Sequence, residues 1–93
     1  MASDIRVDKQ AEGEFRVTVK DTRGQTTHEV TVSNDYYKKL TGGGIPAEEL
    51  VSKSFEFLLE REPKESILRR FDLPLIGRYF PEYEREIRKR VRA

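Results

Sequence analysis

The segment EFRVTVKDTRGQTTHEVTVS, residues 14–33, decides the fold class of this chain. Odd positions in 15–19 are Phe, Val and Val, whereas even positions in 28–32 are His, Val and Val. Side chains of one face recur at every second position of a strand, so each run predicts a β-strand with one apolar face. Asp21–Gln25 lies between the runs and contains the Asp and Gly that favour turns. The segment therefore predicts an antiparallel hairpin.

The register of this hairpin follows from the same alternation. Opposed residues of an antiparallel pair share a face, so the two apolar sets must meet. A four-residue loop, Asp21–Gly24, achieves this and sets Val17 opposite His28. A two-residue loop at Arg23–Gly24 preserves the parity, whereas a three-residue loop would turn one apolar set into solvent. We therefore expect one of the two even loops.

A third strand is predicted before the hairpin, around Ile5 and Val7. These two residues also alternate with polar neighbours, and Gln10–Gly13 has the composition of a turn. The first part of the chain is thus predicted to be a three-stranded antiparallel meander over residues 3–33.

The hydrophobic period changes to that of helices after Ser33. Ser33 or Asn34 is a suitable N-cap for a short helix, Asp35–Thr41, which the following glycines end. Pro46 favours the start of a longer amphipathic helix through residue 60, whose apolar arc spans about 200°. Such a wide arc predicts packing against both the sheet and another helix.

Prolines divide the remaining chain into two or three short helices. The helix predicted after Pro63 would face inward through Ile67, Leu68 and Phe71. The last helix, after Pro81, would face inward through Tyr83, Ile87 and Val91. We therefore expect an α+β fold in which all helices pack on one sheet face, within a single domain of residues 1–93 whose helical part spans 34–92.

Composition limits the chemistry that this chain can perform. The 93 residues carry a formal net charge of +1 and include no cysteine, which excludes disulfides and thiolate metal sites. No apolar run is long enough for a membrane span. Residues 1–4 lack the features of a signal peptide, so a cytoplasmic location is expected.

Candidate catalytic groups are isolated from one another. His28 is the only histidine and falls on the apolar face of its strand, where a structural role is expected. Gly42–Gly44 lacks the Lys-Ser/Thr of a phosphate loop and precedes Glu48 and Glu49, so we interpret it as a connector. We expect no enzyme activity, no cofactor and no metal.

The basic residues of the second half form the candidate interaction surface. Ser66–Phe80 loosely resembles a helix-turn-helix in its apolar spacing, with arginines that could meet phosphates. Residues 85–92 hold five basic residues against Glu86, a net of +4, although the helix dipole also favours that arrangement. The predicted surface consists of Arg69, Arg70, Arg78, Arg85, Arg88, Lys89, Arg90 and Arg92.

These observations favour a non-catalytic protein-interaction module that acts on a protein partner or as a homodimer. A three-stranded sheet leaves one face and at least one edge available for pairing. The alternative is a nucleic-acid-binding domain that uses the basic helical surface, although the near-neutral charge weakens this hypothesis.

Overall fold

The computed structural model describes residues 3–91, which form a four-stranded sheet covered on one face by helices. The strands are β1 (Asp4–Ala11), β2 (Glu14–Asp21), β3 (Gly24–Thr31) and β4 (Arg70–Asp72). The helices are α1 (Asn34–Thr41), α2 (Ala47–Leu59), α3 (Leu75–Tyr79) and α4 (Tyr83–Val91). The predicted α+β class, with a meander followed by helices, is confirmed.

The meander has one of the two registers that the sequence allows. Val17 lies opposite His28, as the four-residue loop requires, and the ladder gains one further pair, Asp21 with Gly24. Asp21 accepts a hydrogen bond from the backbone N–H of Arg23 at 2.8 Å, which holds the turn. The third strand, β1, forms as expected and places Val7 opposite Val17.

The prediction of a helix after Pro63 is wrong. Only one 3₁₀ turn, Lys64–Ser66, forms there, and Ile67 is already extended with φ −76° and ψ 134°. Phe71 instead lies in β4, which pairs parallel to β3 and places Phe71 beside Val30. Backbone hydrogen bonds offered by the free edge of β3 therefore override the helical spacing of this segment, and the sheet has four strands rather than three.

The first two helices begin and end where the sequence predicts. Ser33 caps α1 by accepting a hydrogen bond from the N–H of Tyr36 at 3.1 Å, and Gly42 ends it with φ 70°. Pro46 precedes α2, whose buried residues lie along the predicted arc. These are Leu50, Val51, Ser54, Phe55, Phe57 and Leu58.

The core lies between the sheet and the helices. Tyr83 and Ile87 of α4 are fully buried, as predicted, and the Tyr83 hydroxyl lies 2.7 Å from the Ser54 hydroxyl of α2. Ser54 donates its own proton to the carbonyl of Leu50, so Tyr83 is the donor in that pair. Among the helices of residues 3–91, none combines the length and hydrophobicity needed to cross a bilayer.

Candidate binding groove

An open groove of about 540 Å³ lies between the end of α2 and the segment that contains β4 and α3. Apolar and aromatic side chains dominate its walls. The lining residues are Leu58, Glu62, Ser66, Ile67, Leu68, Phe71, Leu75, Ile76, Tyr79 and Phe80. Its volume falls in the range of ligand-binding clefts.

Two apolar side chains of the groove face solvent. Leu68 is 46% exposed and Tyr79 is 65% exposed, and they are the two large exposed hydrophobic residues in the part of the chain that the structure describes. Leu68 was predicted to face inward, which is wrong, because no helix forms at this position. Exposed apolar side chains gathered around a groove favour binding of another molecule.

His28 fixes the wall of the groove from inside the core. Its Nδ1 lies 2.8 Å from the carbonyl oxygen of Leu68, and its Nε2 lies 2.8 Å from the hydroxyl of Thr26. A carbonyl can only accept, so Nδ1 carries the proton and the neutral Nε2 accepts from Thr26. His28 therefore has a structural contact in the folded chain, because its ring binds the backbone carbonyl of Leu68.

The environment of His28 favours its neutral form. Burial lowers the pKa of His28, and the nearby charge of Arg69 lowers it further, against the opposing effect of the hydrogen bond to Leu68. Its ring also packs against Phe55 at a centroid distance of 5.3 Å. The ring is thus held on several sides.

The 3₁₀ turn at one end of the groove is tied to the tip of the hairpin. The buried Nζ of Lys64 donates to both carboxylate oxygens of Asp21, at 2.8 and 3.0 Å, and to Glu65 at 2.6 Å. These bonds lower the pKa of Asp21 and raise the pKa of Lys64. Ser66 and Ile67, which follow the turn, are thereby placed in the groove wall.

Aromatic packing supports the other end of the groove. Phe80 meets Phe57 of α2 edge to face, with centroids 6.0 Å apart. The guanidinium of Arg61 covers Phe57 at 3.6 Å and bonds to Glu82 at 3.0 Å. This wall is therefore fixed by contacts between α2 and the segment leading into α4.

The seven predicted basic residues within residues 3–91 are distributed over several surfaces. Arg69 directly follows Leu68, and Arg78 directly precedes Tyr79, so both are next to the exposed groove residues. Arg70 lies opposite Glu29 on the outer face of the sheet, because its neighbour Phe71 faces the core. Within residues 3–91, none of these three arginines forms an ion pair.

The basic residues of α4 are partly engaged within the molecule. Arg90 donates to Glu60, the residue that follows α2, at 2.6 Å, and Lys89 lies 3.9 Å from Glu86. Arg85 and Arg88 have no ion pair in the described part of the chain. Arg92 lies outside the described residues. The helix-turn-helix is not formed, because Arg69 lies in a bend, Arg70 lies in β4 and α3 has only five residues.

The polar groups of the groove are few. Burial raises the pKa of the Glu62 carboxyl, and neither Glu62 nor Ser66 makes a side-chain hydrogen bond to another described residue. Across residues 3–91 there is no group of three or more histidine, aspartate or glutamate residues that could hold a metal ion. The groove therefore offers an apolar surface with arginines beside it.

Sequence reasoning named Arg69 and Arg78, which adjoin Leu68 and Tyr79 in the chain, but it did not predict the groove. Its walls combine Leu58 and Glu62 with residues up to Phe80, which come together only through the turn at Lys64 and the pairing of β4. One signal was present in the sequence. The stretch from Ile67 to Phe80 has more apolar side chains than short, proline-interrupted elements bury by themselves.

Comparisons with protein-family models, with curated proteins and with solved structures returned no match for this chain. The function is therefore inferred from its residues and their geometry.

Proposed function

We propose that this protein is a non-catalytic interaction module that binds a short segment of another protein in the groove. The segment would carry aliphatic or aromatic side chains flanked by aspartate or glutamate. The observation that carries this proposal is the exposure of Leu68 and Tyr79 on an apolar groove of about 540 Å³. Aromatic and aliphatic residues seated in such a cleft are the usual centre of a protein interface.

Charge favours an acidic segment. Arg69 and Arg78 are exposed next to the two exposed apolar residues, and neither has an ion pair among residues 3–91. A cation at the margin of an interface speeds association and selects partners of opposite charge. Arginine also binds carboxylates through two parallel hydrogen bonds, which gives the contact a defined orientation.

The alternative function, binding of nucleic acid, has less support. The basic residues that it requires are divided between the margin of the groove, the outer sheet face and α4. On α4, Arg90 and Lys89 already have acidic partners, which leaves Arg85 and Arg88. A nucleic-acid surface needs several cations along one path, since each phosphate contact contributes only a part of the affinity.

A peptide-display selection tests the proposal. A library of random twelve-residue peptides is selected against the wild-type protein and against the double variant Leu68→Glu, Tyr79→Lys. We expect the wild type to enrich peptides that combine apolar or aromatic residues with acidic ones. We expect synthetic copies of these peptides to bind the double variant about tenfold or more weakly, because the exposed apolar contacts are lost.

A matched control is Arg85→Ala, which changes an exposed side chain of α4 and should leave peptide binding unchanged. Equal enrichment on the double variant, or no enrichment on the wild type, would overturn the proposal. Retardation of oligonucleotides at low salt that is abolished by Arg85→Ala with Arg88→Ala would favour the nucleic-acid alternative instead.

A further inference from the structure

The two edges of the sheet differ in length. The edge formed by β4 has three residues, whereas the edge formed by β1 has eight. β1 pairs with β2 on one side, and no element of residues 3–91 pairs with its other side. A long free edge presents unpaired backbone N–H and C=O groups, which favour the addition of another strand.

We propose that β1 pairs with β1 of a second copy of this chain, antiparallel and centred on Val7. In this register Val7 meets its own copy, while Arg6 of each copy lies opposite Asp8 of the other. Ile5 lies opposite Lys9. The Nζ of Lys9 already forms an ion pair with Glu12 at 2.7 Å, so no unpaired charge faces Ile5. The two sheets then join into one continuous sheet with all helices on the same side.

The charges of β1 distinguish this register from its neighbours. Centring the pair on Arg6 would place arginine against arginine, and centring it on Asp8 would place aspartate against aspartate. Centring it on Ile5 matches Asp4 with Arg6 but uses only the beginning of the strand. Registers shifted by one residue would place inner side chains against outer ones. The register centred on Val7 is therefore the longest one with matched charges.

Arg6 and Asp8 are free to exchange partners. Their mutual contact in one copy is 3.3 Å, and their side chains are 78% and 44% exposed. An exposed ion pair of this kind contributes little to stability, so its replacement by two pairs between the copies costs little. The regular ladder ends at the irregularity between Lys9 and Ala11, which sets the far limit of the new interface.

A single introduced cysteine tests the register directly, because the chain contains no cysteine. We expect Val7→Cys to form a covalent dimer under mild oxidation, since the two introduced thiols would lie directly opposite each other. Ile5→Cys is the matched variant for the shorter register and should stay largely monomeric. A covalent dimer from Ile5→Cys but not from Val7→Cys would overturn the proposed register.

Charge exchange tests the dimer without a crosslink. Light scattering over a concentration series should show a dimer whose dissociation constant rises about tenfold or more for Arg6→Asp, because aspartate then faces Asp8 of the other copy. The double variant Arg6→Asp, Asp8→Arg should regain the wild-type value. Arg85→Asp, the same change on α4, should have no effect. A wild-type monomer at all concentrations, or a dimer that Arg6→Asp does not weaken, would overturn the proposal.

Discussion

Two regions of the molecule differ in how their side chains are used. The first is the interface of α2 with α4, and the second is the segment of residues 67–80. Between α2 and α4, the hydroxyl of Tyr83 bonds to Ser54, and Arg90 bonds to Glu60. In residues 67–80, Leu68 and Tyr79 face solvent although they are large and apolar. The first region is committed to folding, whereas the second leaves side chains available for a partner.

This difference shows where stability and binding reside in a small domain. Every buried side-chain N or O atom in residues 3–91 has a hydrogen-bond partner, so the interior is consistent with a single packed state. The groove is built on that interior through its backbone, by the bond from His28 to the carbonyl of Leu68. The exposed side chains can therefore change without disturbing the frame that holds them.

The largest expected effect comes from removing a buried ring of α2 that packs against the sheet. Phe55 is fully buried and contacts the rings of His28 and Phe71, at centroid distances of 5.3 and 6.0 Å. Phe55→Ala should lower the free energy of unfolding by about 3–5 kcal/mol, measured by urea denaturation. An effect below about 1 kcal/mol would show that this ring is not central to the core.

The next effect separates the two partners of the buried hydroxyl pair. Ser54→Ala leaves the hydroxyl of Tyr83 buried without its acceptor, which should cost about 1–3 kcal/mol. Tyr83→Phe removes the donor, while Ser54 keeps its bond to Leu50, so it should cost about 1 kcal/mol. Urea denaturation of both variants checks the order, and a larger loss for Tyr83→Phe would contradict this assignment of donor and acceptor.

A smaller effect appears in the pH dependence of stability. The pKa of His28 is lowered below its ordinary value of 6.5 by burial, so below pH 6.5 the unfolded chain binds a proton that the folded chain does not. The contribution of His28 to the free energy of unfolding should therefore be fully present above pH 6.5. It should decrease as the pH falls below that value, by at most about 1.4 kcal/mol per pH unit.

The variant His28→Gln separates the effect of this proton from that of the carboxyl groups, because it removes the only histidine and keeps every carboxyl group. Glutamine also retains an amide donor for the carbonyl of Leu68. Between pH 6.5 and 5.5 the variant should lose the slope that the wild type shows in urea denaturation. Parallel curves for the two proteins would mean that His28 takes up its proton equally in the folded state.

The smallest expected effect on stability belongs to the groove. Leu68→Glu and Tyr79→Lys replace side chains that are 46% and 65% exposed, so each should change the free energy of unfolding by about 0.5 kcal/mol or less. Thermal and urea unfolding measure this effect. A loss comparable to that of Phe55→Ala would place these residues with the folding core and erase the contrast between the two regions.

The meander and the first two helices were predictable because their signals are local. Alternation in residues 15–32 predicts both strands and the parity of their register, and Ser33 and Gly42 mark the ends of α1. β4 was not predictable, since three residues carry little pattern and their conformation depends on the free edge of β3. The spacing of Ile67 and Phe71 therefore suggested a helix that tertiary pairing replaces.

The candidate site was predictable only in part. Charge selected Arg69 and Arg78 as candidates together with Arg90, but it could not show that Arg90 bonds to Glu60 within the molecule. The surplus of apolar residues between Ile67 and Phe80 indicates that some of them stay uncovered. Which ones stay uncovered depends on how the chain packs, and the sequence pattern does not identify them. The exposure of Leu68 is a property of the folded chain, in which its carbonyl accepts a hydrogen bond from His28.

The most direct test of the groove as a binding site is to map the binding of a selected peptide by NMR. Backbone amide and methyl signals are recorded while an enriched twelve-residue peptide is added to the wild-type protein. We predict shifts concentrated at Leu68, Phe71, Leu75 and Tyr79, with the signals of Arg85 and Arg88 unchanged. Shifts centred on α4, or spread without preference over the surface, would contradict binding in the groove.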